Sequence, residues 1–317
     1  MKKLLFLPLL VIFFIAAGAF WFYKSSLPVS VTENFNYFVI SKGESAAEIG
    51  SNLQSSGIIK SALAFKIYLQ VTGQSGNLQS GEFRLTPSFS LFQTIETLFK
   101  GPVEISVTIP EGLRREEIAA KFAAGLDKDS SFTTEFLQAS SGKEGYLFPD
   151  TYLFPRDASA SAIVKKMTDT FTAKTEGLTP QDSGLSFSQS VILASILERE
   201  TKTDTERPIV AGILLNRINM GMPLQVDASV QYAVGTSKDW WPILSLADLA
   251  VKSPYNTYVN QGLPPTPISN PGLSSLKAAF NPAKTNYLYY IHDSSGQIHY
   301  AQTLAEHNAN IAKYLNK

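Results

Sequence analysis

Two glutamates, Glu198 and Glu200, follow an apolar run at 191–197, VILASIL. A carboxylate at the edge of such a run is partly desolvated. Desolvation favours its protonated form and suits it to general-acid work near neutral pH. On a helix over 188–200, Val191, Ala194 and Ser195 share the face of Glu198. Ser195 is therefore a candidate to orient the acid, or to bond to backbone instead. The run is apolar nearly all round, so periodicity does not separate Glu198 from Glu200. Lys202, Asp204, Glu206 and Arg207 add charges near both. An ion-pair lattice at a helix end would use the same residues.

A second helix is expected over 206–219, stopped by Gly221, with Asn216 and Arg217 at its polar end. The following segment, 221–232, reads as a polar strand-loop carrying Gln225, Asp227, Ser229 and Tyr232. These are the groups a sugar groove uses: amides and hydroxyls for sugar hydroxyls, a ring for the apolar sugar face. The three histidines, His292, His299 and His307, match no short zinc motif. There is no phosphate loop, no HExxH and no GxSxG. No metal and no cofactor is expected.

The elements that carry these residues sit in a chain of 317 residues with 27 basic and 27 acidic side chains. That balance offers no basic face for nucleic acid. There is no cysteine, which removes disulfides, thiol nucleophiles and thiolate metal sites. Lys2 and Lys3 precede an uncharged stretch from Leu4 to Tyr23. At about 1.5 Å per residue it spans roughly 30 Å, the thickness of a bilayer core. Trp21 and Tyr23 suit an interface, and the two lysines favour a cytoplasmic N-terminus. A retained single-pass anchor is expected, although the small residues at 16–19 would also suit a cleavage site. The remainder is expected outside the cytoplasm.

The expected fold is α+β: an N-terminal transmembrane helix, a small LysM-like α+β domain, then a mainly helical catalytic domain with a small β-hairpin region. The anchor covers 1–25 and a linker 26–36. Over 37–135 two related units each read as strand, glycine turn and short helix. Residues 39–53 and 108–122 correspond. Residues 127–150 look like a transition, and the catalytic domain takes 136–317. Helices are expected over 159–171, 188–200, 206–219, 273–280 and 303–314, with a hairpin joining 287–292 to 297–301.

The stretches EGYLFPDTY (144–152), ASILERET (194–201), ERPIVAGILLNR (206–217), GMPLQVDASVQYA (221–233), SPYNTY (253–258) and GLPPTPISNPG (262–272), with the segment 289–308, carry a resemblance. Together they resemble the YceG-like family of membrane-bound endolytic murein transglycosylases over nearly the full length. The resemblance implies that Glu198, the first glutamate of ASIxExE, is the catalytic acid. It implies cleavage of the β-1,4 bond between N-acetylmuramic acid (MurNAc) and N-acetylglucosamine (GlcNAc) within peptidoglycan strands, leaving 1,6-anhydro-MurNAc ends. Ser195, Asn216, Gln225, Asp227, Ser229 and Tyr232 are the expected substrate-binding residues. Ser229 stands where relatives carry threonine and keeps the hydroxyl. The implied setting is the bacterial cytoplasmic membrane, acting on nascent strands near cell-wall synthases. A muramidase-type hydrolase using Glu198 and Asp227, and a non-catalytic peptidoglycan-binding scaffold, remain the alternatives.

Overall fold

A computed structural model describes residues 6–181 and 183–315. The lysines read as orienting the anchor, Lys2 and Lys3, lie outside the described residues. The fold is mixed α+β, with one N-terminal apolar helix and three two-stranded sheets among the described residues. Contacts divide the chain into two compact units. One runs up to Ile105 and includes Leu153–Ala158; the other comprises Ser106–Tyr152 and Ser159 onward.

In the first unit, α1 (Phe6–Ser26) is long and apolar enough to cross a bilayer. Its residues from Leu9 to Ile15 are exposed, as a lipid-facing helix requires. Its last turn packs on the core of the unit, with Phe22 against Phe92 at 6.3 Å between ring centroids. Within residues 26–36, expected from sequence to be a linker, the N–H groups of Val29 and Ser30 both donate to Pro87 O.

Next come β1 (Asn36–Ile40), α2 (Ala46–Ser55), α3 (Ala62–Val71) and β2 (Gly81–Leu85), closed by α4 (Leu91–Lys100). β1 and β2 pair antiparallel from Asn36↔Leu85 to Ile40↔Gly81. Alternation along the strands buries Phe38, Ile40, Phe83 and Leu85 on one face. The helices close over that face with Ile49, Leu53, Phe65, Leu69, Ile95 and Leu98. Ser45 with Glu48, and Ser90 with Gln93, form capping boxes that start α2 and α4.

The order strand, helix, helix, strand recurs in β3 (Glu104–Thr108), α5 (Arg115–Gly125), α6 (Ser130–Ala139) and β4 (Thr151–Pro155), where β3 pairs with β4. Residues 127–150 are thus the second half of this arrangement. Phe122, Phe132 and Phe136 form its aromatic core.

The remainder is mainly helical: α7 (Ala160–Lys174), α8 (Phe187–Glu200), α9 (Arg207–Asn219), α10 (Asp227–Val234) and α11 (Leu273–Phe280). β5 (Tyr289–His292), β6 (Ile298–Ala301) and α12 (Leu304–Tyr314) follow, with β5 and β6 antiparallel. α8 is central. Every residue from Ser190 to Leu197 is buried, which is why its sequence is apolar all round. α11 and α9 pack on it. The segment read as a polar strand-loop contains a helix, α10. Its start is tied down by long-range buried contacts, Val226 N and Ser229 Oγ both meeting Thr257 Oγ1.

Candidate active site

Glu198 lies in the last turn of α8, where the helix leaves the core, and its side chain is only 7% exposed. The middle of α8 is stitched to the proline-rich loop before α11. Ser195 Oγ accepts from Ile268 N at 3.0 Å and donates to Ile192 O at 2.7 Å. Ser269 Oγ donates to Ser195 O at 3.0 Å. The loop then reaches Gly272, the N-cap of α11, whose N–H donates to Glu198 Oε2 at 2.9 Å. A helix start is a site of partial positive charge, and a carboxylate is its natural complement.

A second loop, 110–114, faces the first. Gly112 N donates to Asn270 O and Asn270 N to Leu113 O, both at 2.9 Å. Gly112 has φ +78°, which favours glycine, and a Cβ there would stand 3.4 Å from Glu198 Cγ. The carboxylate of Glu111 lies against Gly272, where a Cβ would come within 1.7 Å of its Oε1. Only a residue without a side chain leaves that room. Burial pushes Glu111 above the ordinary carboxylate range, and the charge of Glu198 adds to it.

Asn270 joins the two loops. Its Oδ1 accepts from Gly145 N and Leu147 N at 2.9 Å each, and its Nδ2 donates to Leu113 O at 3.0 Å and Glu144 Oε1 at 2.6 Å. Glu144 in turn accepts from Arg115 N at the start of α5. Burial, with Glu116 nearby, pushes Glu144 up to about 7.

Arg207 approaches Glu198 Oε1 at 3.7 Å, beyond hydrogen-bond range. Its guanidinium is engaged elsewhere: Nε with Ser275 Oγ at 3.0 Å and Nη1 with Asp204. Glu198 is therefore near a cation without being locked into a bidentate pair. Beside it on α8, Arg199 stacks over Trp241 at 3.9 Å.

The other expected site residues do not gather around Glu198. Gln225 and Asp227 line a cavity of about 360 Å³ together with Glu200, Arg217, Tyr258 and Tyr290. There Tyr258 donates to Asp227 at 2.5 Å and Tyr290 to Glu200 at 2.8 Å. Burial raises Glu200. Gln225 adopts φ +55° and accepts from Arg217 Nη2 at 3.2 Å. Asn216 lines a separate cavity of about 530 Å³ and donates to Thr285 O and Tyr287 O. Tyr232 lines a third, of about 390 Å³, with Glu144, Tyr146 and Tyr255. Its ring lies under Arg114 at 4.1 Å. Ser195 and Ser229 are fully buried, and their hydroxyls bond within the protein.

The histidines are also apart. His292 pairs with Glu206 at 2.9 Å, His299 with Asp293 at 2.8 Å, and His307 stacks on Tyr289. Sequence reasoning missed Glu111, Glu144 and Asn270 as members of the Glu198 surroundings. The signal for Glu111 was the second copy of the strand–glycine repeat, which placed a carboxylate directly before its turn glycine.

The YceG-like family model matches residues 38–313. A protein of Bacillus subtilis named endolytic murein transglycosylase is 35% identical over 95% of this chain and 91% of its own length. One of Streptococcus pneumoniae with the same name is 28% identical over 99% of this chain, which spans 64% of its length. The crystal structure of a YceG-like protein from Listeria monocytogenes is 30% identical. It aligns with a TM-score of 0.55 over 88% of this chain and 99% of that one. A match of that extent places this chain in the YceG-like family.

Proposed function

We propose that this protein is an endolytic lytic transglycosylase, and that Glu198 is its catalytic acid and base. The observation that carries the reading is the carboxylate of Glu198 itself. It is nearly dry, fixed by a backbone N–H at a helix start, and flanked by a second carboxylate. Glu198 protonates the glycosidic oxygen between MurNAc C1 and GlcNAc O4 as that bond breaks. The same group then takes the proton from the MurNAc C6 hydroxyl as C6–O closes on C1. The product carries a 1,6-anhydro end, and water does not enter.

In this reading the helical region of 136–317 carries the catalytic acid, while two LysM-like units, the first beginning at β1 and the second ending with β4, engage or space the glycan. The β-α-α-β order of both units supports that likeness. Residues 1–25 anchor the chain in the cytoplasmic membrane, 26–36 join the anchor to the first unit, and the rest faces outward. Activity is then confined to strands emerging at the outer face of that membrane, close to the cell-wall synthases that make them. Gln225, Asp227, Asn216 and Tyr232 are offered as substrate contacts from the cavities they line. A hydrolytic partnership between Glu198 and Asp227 gains no support, because Asp227 bonds to Tyr258 in the cavity of Glu200.

Purified glycan strands digested with wild type and Glu198→Gln, and read by mass, test the reading. Wild type should release anhydro products, each lighter by one water than a hydrolytic product, and the variant should release none. Hydrolytic products would establish a muramidase. Release of no product by either protein would leave a scaffold, and equal cleavage by both would move the acid elsewhere.

A further inference from the structure

The carboxylates of Glu111 and Glu198 converge on one residue. Gly272 gives its N–H to Glu198, and its bare Cα accommodates the carboxyl oxygens of Glu111. The two backbone hydrogen bonds between Gly112–Leu113 and Asn270 fix this register. Gly112 also closes on the methylene stem of Glu198. The backbone, not a chosen rotamer alone, brings the two acids together.

An acid catalyst needs a proton. The Gly272 N–H and the Arg207 guanidinium, the two partners of Glu198, complement negative charge and hold no proton for it. Glu111 faces Glu198 on α8, Arg207 at the first residue of α9 and Asp204 in the turn before it, with Arg199 beside Gly112. Burial and the charges of Glu198 and Asp204 favour the protonated form of Glu111, and Arg207 opposes them. The charge of Glu198 beside it thus makes Glu111 harder to ionise.

We propose that Glu111 is the proton partner of Glu198: its carboxyl, seated against Gly272 beside Glu198, supplies a proton through Glu198 to the leaving sugar. This rests on the transglycosylase reading. The proton goes to O4 as the C1–O4 bond breaks. The C6–O–C1 bond forms as the C6 hydroxyl releases its proton to Glu198, and the proton given up is restored. Nothing is consumed. Glu111 acts through Glu198 and is a positioning residue.

The test is the pH–rate profile of full-length protein in detergent on purified glycan strands, for wild type, Glu111→Gln and Gly272→Ala. Glu111→Gln should lower kcat roughly tenfold with KM unchanged. Its alkaline limb should move down by about one pH unit, because the like charge that retained the proton is gone. Gly272→Ala keeps both acids but expels Glu111 from its place, and should move the limb the same way. A wild-type limb in both variants overturns the proposal, as does a lowered rate with an unmoved limb in folded protein. Should Glu111→Gln not fold, Gly272→Ala decides alone. Wild type that makes no anhydro product removes the functional reading and this inference with it. Anhydro product with unmoved limbs removes only the inference.

Discussion

Asn270 donates to Glu144 at 2.6 Å while its carbonyl oxygen takes two backbone N–H groups of the 145–147 segment. One buried amide thus satisfies four groups on two other stretches of chain. It also sits two residues before the glycine that binds Glu198. Register at the acid is therefore set by a side chain that has no chemistry of its own.

Asn270→Ala leaves the buried N–H groups of Gly145 and Leu147 unpaired. Each orphaned group costs about 1–3 kcal/mol, so a loss of several kcal/mol is expected unless water enters. Chemical denaturation of the purified protein measures it. A loss under 1 kcal/mol would show that the two loops are held in some other way.

Glu144 makes stability fall as pH rises. Its folded value of about 7 lies above the ordinary 4.5, so between those limits the folded state binds more protons than the unfolded. Its contribution is complete below about 4.5 and gone above about 7. The shift corresponds to a ceiling on the order of 3 kcal/mol. Denaturation midpoints across that window should decline for wild type and decline less for Glu144→Gln.

Ser195→Ala removes the acceptor of the Ile268 N–H. The cost should be about 1–3 kcal/mol of stability. KM for glycan strands should not change, since the hydroxyl is fully buried. A raised KM with unchanged stability would restore Ser195 as a substrate contact.

Glu198→Gln and Glu200→Gln should separate cleanly. The first should lower cleavage of glycan strands at least 100-fold, the scale on which a positioned acid contributes. The second alters a buried acid bonded to Tyr290 and should leave kcat within about tenfold while changing stability. The reverse pattern would move the chemistry to the cavity of Glu200.

The sequence made α8 and the exit of Glu198 from it legible, because an unbroken apolar run must be a central helix and the next polar residue must meet its edge. The repeat of strand, turn and helix was legible for the same local reason. The partner of β3 was not, because it lies beyond two intervening helices. α10 escaped because Thr257, about thirty residues on, holds its first turn. Glu111 and Asn270 escaped for a stronger version of that reason. Their loops meet through backbone pairing between residues 112–113 and 270, a contact that leaves no period in either segment. Apolar pattern reports which faces are buried and is silent on which loops touch.

The junction between α1 and the first unit has a mechanical meaning. Phe22 enters the unit's own core, Ser25 and Ser26 are buried, and the next residues bond to Pro87. No slack coil separates the membrane helix from the module it carries. With α1 in a bilayer, as proposed above, the module stands on a stiff post: its height and tilt above the lipid follow those of the helix. A glycine–serine spacer inserted after Ser26 would turn that post into a leash.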